Sequence, residues 1–199
     1  ANTKVRSHLA MIIFSALISG SFILGSFVAN EIDPSSISAV RFFLAFIILF
    51  FVLTLSKKKI RFLFIKFWRY IILGGLISTY FVLMFEGLKT ASSISMSAIM
   101  TLTPFLAAIL EYIFFRRVIE RIILLALLLG AFGSIWIIFD ADVSRIINLN
   151  IGRGEALFLI GCFCQAIYTL LIPVLNEGES SLEQTANTML ISALILIVI

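Results

Sequence analysis

Residues 86–139 read EGLKTASSISMSAIMTLTPFLAAILEYIFFRRVIERIILLALLLGAFGSIWIIF, and this stretch decides the fold. Residues 91–115 form one apolar run of about 25 residues. As a helix rising about 1.5 Å per residue it covers roughly 37 Å, enough to cross a bilayer core of about 30 Å with some tilt. Residues 122–139 form a second run that just spans. Between them Arg116, Arg117 and Arg121 gather cations in a short turn, which the positive-inside rule sets on the cytoplasmic side.

The first of these runs is also the most polar. Ser93, Ser97 and Thr101 recur at i, i+4 and i+8 and so share one helix face. Pro104 has no N–H to give the carbonyl of Met100 and is expected to kink the helix. A freed carbonyl inside hydrocarbon needs protein or a water-filled cavity around it. A polar face beside an interrupted backbone is what a substrate passage requires. The plainer alternative is that small hydroxyl residues let helices approach closely.

Composition agrees with a helical membrane protein. The 199 residues are 61% hydrophobic and 13% charged, with a mean hydropathy of +1.16. Long apolar runs exclude a barrel, whose strands would alternate. The net charge of +4 is no nucleic-acid signal, because the cations sit between spans. The single histidine, His8, lies near the N-terminus, so no intramembrane zinc centre or Ser-His dyad is expected and the protein reads as a non-enzyme without cofactor or metal. Cys162 and Cys164 point about 200° apart on a helix and are expected to stay unpaired.

Working outward, span 1 covers 9–29, with Ser19, Gly20, Gly25 and Ser26 giving a small-residue side. The loop 30–34 carries no cation, and Ser35 or Ser36 is the expected N-cap of span 2, which runs to Leu55. Arg41 lies about one and a half turns into span 2, roughly 8 Å from its start. It reads either as a substrate-facing cation or as a snorkelling one. Residues 57–69 interleave six cations with aromatics, an interfacial segment on anionic lipid. Span 3 covers 70–88 and includes Tyr80. Glu86 and Lys89 near its end can pair at i, i+3, or Glu86 can carry a proton. Glu111, near the basic turn, reads as a local partner of Arg116 or as a coupling carboxylate. Span 6 covers 155–175 with Gln165 and Tyr168 inside, and 176–184 is acidic without a cation. Span 7 begins near Thr185 and reads as cut short.

With the N-terminus inside, the cytoplasmic segments hold eleven cations and the external ones three. The last pair of loops runs the wrong way, since Arg145 and Arg153 fall outside and the inner loop 176–184 is purely acidic.

Three blocks carry a family resemblance. The first is Ser19-Gly20-Ser21-Phe22, Pro34 and Arg41-Phe42-Phe43-Leu44-Ala45. The second is Glu86-Gly87-Leu88, the small-residue stretch 91–98 and Pro104-Phe105. The third is Gly130-Ala131-Phe132-Gly133, after which Gly154-Glu155-Ala156-Leu157 and Ala166-Ile167-Tyr168 look like a second opening. Together they resemble an EamA-type permease of the drug/metabolite transporter superfamily. Departures exist: Ser19 stands where the family often has Trp, span 1 has no lysine, and Glu120 is shifted within the turn.

The resemblance implies an all-α polytopic membrane protein of inverted five-helix repeats, ten transmembrane helices in the full protein and about seven here. Residues 1–139 would be the first repeat, 140–152 an external linker, and 153–199 the start of a second. It implies a secondary transporter of small metabolites, such as amino acids or nucleosides, in the cytoplasmic membrane of a bacterium, with the N-terminus cytoplasmic. A non-transporting membrane subunit or regulatory protein is the alternative. The expected passage residues are Arg41, Tyr80, Ser93, Ser97, Thr101, Pro104, Gln165 and Tyr168. Glu86 and Glu111 are the expected coupling carboxylates. The expected partners are a small-molecule substrate, the lipid bilayer and protons as coupling ion.

Overall fold

A computed structural model describes residues 2–55, 66–116, 120–139, 142 and 151–198. Its helices are α1 (Asn2–Val28), α2 (Pro34–Leu55), α3 (Trp68–Leu88), α4 (Ser93–Met100), α5 (Thr103–Phe115), α6 (Arg121–Ile138), α7 (Arg153–Val174) and α8 (Ser181–Val198). No strand occurs among the described residues. Seven segments are long and apolar enough to cross a membrane, α4 and α5 together forming one of them (Ser93–Phe115). The protein is therefore an all-α polytopic membrane protein.

Helix α3 is the pivot. It packs most extensively on α7 and α8 and also touches α1, α2 and α4. Half of its most apolar window is buried, against 11% in α1 and α6, whose large side chains face outward as expected for lipid contact. Small residues make the close approaches possible. A Cβ at Gly154 would lie 2.5 Å from the Gly87 carbonyl oxygen, so these two glycines bring the end of α3 and the start of α7 into backbone contact. About one turn before Gly87, the α3–α7 seam continues at Gly161, where a Cβ would stand 3.3 Å from that of Leu83. On the other side Gly74 meets Ser192, whose hydroxyl reaches the Gly74 carbonyl at 3.3 Å. Phe22, Leu73, Phe85, Met96, Phe158 and Cys162 fill the core between these seams.

Polar groups tie the two ends of this arrangement. Arg69, buried at the start of α3, pairs with Glu179 in the α7–α8 turn, and Lys66 pairs with Glu177. The Lys66 ammonium holds the Glu177 carboxyl below its usual range. The acidic turn between α7 and α8 thus sits against the cations at the start of α3, Lys66 and Arg69. On α8, Gln184, Asn187, Thr188 and Ser192 are buried; the Gln184 amide donates to the Ile172 carbonyl at 2.9 Å and Asn187 to the Tyr70 hydroxyl at 3.4 Å.

Several boundaries differ from the sequence reading. The N-cap of α2 is Asp33, not Ser35 or Ser36: its carboxylate accepts from the amides of Ser35 and Ser36 at 3.0 and 3.1 Å, and Pro34 occupies the first helical position, where no N–H is needed. Span 7 starts at Ser181, four residues earlier than Thr185, because Ser180 and Glu183 form a capping box: the Glu183 carboxylate accepts from the Ser180 amide at 2.9 Å and the Ser180 hydroxyl from the Glu183 amide at 3.3 Å. Both cysteines are free, as expected from their spacing. Of the basic segment 57–69 only 66–69 is described, and the linker 140–152 lies outside the described residues apart from 142, 151 and 152.

Candidate transport site

The fourth span is interrupted where Pro104 predicted trouble, but by a tightened turn. The amides of Thr101 and Leu102 donate three residues back, to Ala98 at 3.1 Å and Ile99 at 3.0 Å. Both residues keep right-handed helical angles. Pro104 is the second residue of α5, so it opens a new helix and leaves no unwound segment.

Two cavities lie in tandem along this interrupted span. The first, about 680 Å³, follows α5 toward its end and is walled by Thr103, Pro104, Glu111, Glu120, Gln165 and Thr169. The second, about 570 Å³, follows α4 toward its start and is walled by Ser19, Ser93, Ser97, Thr101, Gly133 and Ser134. The first is lined from the α5 half of the span and the second from the α4 half, with Met100 and Thr103 in the first and Thr101 in the second.

The chemistry of the two differs. In the second cavity the hydroxyls are satisfied by backbone: Ser97 donates to the Ser93 carbonyl at 2.7 Å, Thr101 to Ala98 at 2.7 Å and Ser134 to Gly130 at 2.8 Å. The Thr101 and Ser134 hydroxyls also touch in its wall, where one can turn its proton from the backbone to the other. In the first cavity the amide oxygen of Gln165 is buried with no hydrogen-bond partner among the described residues, and the hydroxyl of Thr103 lies against the Cys162 thiol. Together with the carboxylates of Glu111 and Glu120 they make an acceptor-rich wall, suited to a solute bearing N–H or O–H donors.

The remaining sequence-predicted residues are elsewhere. Arg41 lines a third cavity of about 440 Å³ between α1, α2 and α3. Tyr80 is buried in the core, its ring edge-on to Phe81 and tilted against Phe158, its hydroxyl 3.6 Å from the Met100 sulfur. Tyr168 is also a core residue. Glu86 pairs with Lys89 at 2.7 Å near the end of α3, lining none of these three cavities. Thr103, Glu120, Thr169 and Ser134 were missed by sequence reasoning. Ser134 follows Gly133 in a run that otherwise signals only lipid contact, and nothing in the chain ties it to Thr101, 33 residues away.

The model of the EamA-like transporter family matches residues 6–139. The chain belongs to that family. A second comparison finds this EamA-like chain 30% identical over 197 residues to an uncharacterized transporter, YyaM, of Bacillus subtilis (strain 168). The match takes in 96% of the chain and 64% of that protein, so the chain spans less than two thirds of the relative's length. No solved structure matches it. The family match includes both cavity-lining stretches of the fourth and fifth spans, while Gln165 and Thr169 lie beyond it.

Proposed function

We propose that the protein is a secondary transporter that moves small metabolites, with amino acids or nucleosides as the leading classes, across the cytoplasmic membrane of a bacterium. The N-terminus is cytoplasmic, as the cation count favours. The first repeat is 1–139 and a second begins at 153. The supporting observation is the pair of cavities on either side of the α4–α5 break, one lined from α5 and the other from α4 with the Thr101–Ser134 contact in its wall. A solute would be held at the break and released to alternate sides as the helices shift. The acceptor-rich wall around Gln165 favours amine-bearing solutes. Protons at Glu111 are the proposed coupling ion, because that carboxylate lines the first cavity whereas Glu86 lines none of the three.

The test is a metabolite profile by mass spectrometry. Medium and cytosol are compared for cells carrying the full reading frame, its Thr101→Leu and Ser97→Leu variants, or empty vector. A class of amines or nucleosides should accumulate in the medium only with the unaltered protein, and both variants should insert normally but lose the accumulation. Identical profiles in all strains for export, followed by identical uptake of the same classes, would end the proposal.

A further inference from the structure

Arg41 and Arg69 are both arginines within membrane-spanning helices, and the structure treats them differently. Arg69 receives both carboxylate oxygens of Glu179. Arg41 pairs with no carboxylate among the described residues. Its Nη2 donates to the Ser21 hydroxyl at 3.1 Å, and its guanidinium carbon lies 5.1 Å from the Phe81 ring centre and 5.5 Å from that of Phe85. Seven residues into α2, it is roughly 10 Å along the helix. Two ring faces and one neutral hydroxyl hold the side chain in place without neutralising it. A guanidinium has five N–H donors in a planar fork, and most of these are left for the cavity that Arg41 lines.

The cavity is built by its neighbours. Helix α1 rests on α3 and α4, which opens a gap toward α2 with Phe85 on its floor. Gly20 keeps that gap wide: a Cβ there would meet nothing within 4 Å. The volume of about 440 Å³ admits a small organic anion or a phosphate group with its ester stem.

We propose that Arg41 is the recognition group of an oxyanion site in the cavity between α1, α2 and α3, with the Ser21 hydroxyl as second donor. An oxyanion supplies the missing countercharge and matches the guanidinium fork in a charge-assisted pair. Two sources share this chemistry, a carboxylate or phosphate on a soluble molecule and the phosphate of an anionic lipid headgroup. The site is distinct from the two tandem cavities, and its test requires no transport, so it stands or falls apart from the transport reading.

The protein is placed in nanodiscs of phosphatidylcholine and its thermal unfolding followed at constant ionic strength. One arm titrates inorganic phosphate and benzoate. The other replaces part of the lipid by phosphatidylglycerol. Saturable stabilisation in the first arm assigns a soluble anion, and stabilisation confined to the second assigns a headgroup. In either case Arg41→Gln should weaken the response at least about tenfold, Arg41→Lys should keep part of it, and Gly20→Val should block it by filling the cavity while leaving the arginine intact. Should Arg41→Gln fail to fold, Gly20→Val decides. A response in neither arm, or one that Gly20→Val leaves unchanged, overturns the site.

Discussion

Arg69 and Glu179 meet fork to fork, with Nη1 3.2 Å from Oε1 and Nη2 3.3 Å from Oε2. Their side chains are only 5% and 10% exposed. Removing one partner strands the other charge, which typically costs about 3–5 kcal/mol. Glu177 remains 3.9 Å from the guanidinium, so the lower figure applies. Glu179→Ala should therefore lower stability by about 3 kcal/mol in thermal unfolding, and Arg69→Met combined with Glu179→Leu should lose less than the single change. A wild-type melting curve for Glu179→Ala would show that the pair contributes nothing.

The Gly87–Gly154 contact predicts a sharp contrast among glycines. A methyl at position 154 would sit 2.5 Å from the Gly87 oxygen, 2.6 Å from the Thr90 hydroxyl and 2.9 Å from the Ala91 Cβ. Two of these are backbone or Cβ atoms and cannot swing away. Gly154→Ala should cost about 1–3 kcal/mol, the usual range for overpacking. Gly133→Ala, where a Cβ meets nothing within 4 Å, should be near neutral. Equal melting temperatures for the two variants would contradict this account of the α3–α7 seam.

Acid should loosen the start of α2. The Ser35 hydroxyl and the Ser36 amide lower the Asp33 carboxyl below its ordinary value. A group whose folded pKa is depressed adds stability above its unfolded pKa and loses it as pH falls through the folded one. The contribution is therefore complete above about pH 5 and fades below about pH 4. Asp33→Asn keeps a capping oxygen without a titrating group, so its unfolding temperature should depend less on pH in this window. Asp33→Ala should be less stable than wild type at neutral pH. Circular dichroism melts across the window check both, and parallel pH profiles for wild type and Asp33→Asn would refute the assignment.

The two candidate coupling carboxylates should behave differently. In the transport assay, Glu111→Gln should flatten the pH dependence and reduce proton-driven rate by about tenfold, equivalent to roughly 1.4 kcal/mol. Glu86→Gln should keep the pH profile, because Glu86 is held by Lys89 and lines none of the three cavities. Full pH dependence in Glu111→Gln would exclude it as the proton carrier.

The spans were legible because hydropathy alone sets them, and Pro104 located the interruption within three residues. The Ser93, Ser97 and Thr101 face was legible because helical period is fixed, and these residues do share one cavity wall. Partners across helices were not legible. Tyr80 looked like a lining residue because tyrosine is amphipathic, yet Phe81, Phe158 and Met100 enclose it. The acidic loop 176–184 looked misplaced because charge counting treats each loop alone, while its carboxylates belong with Lys66 and Arg69, more than a hundred residues earlier. The cap at Asp33 was missed for a local reason: Pro34 masks the helix start that an N-terminal aspartate defines.

The position of α3 sets a timetable. Its two most covered sides are closed by α7 and α8, helices that leave the ribosome after the five spans of the family match are complete. Until they arrive, Gly74, Ser78 and the charge of Arg69 lack the α7 and α8 partners that cover them. In chain order, the first five spans are thus complete before Glu179 and Ser192, which cover this side of α3, have been made.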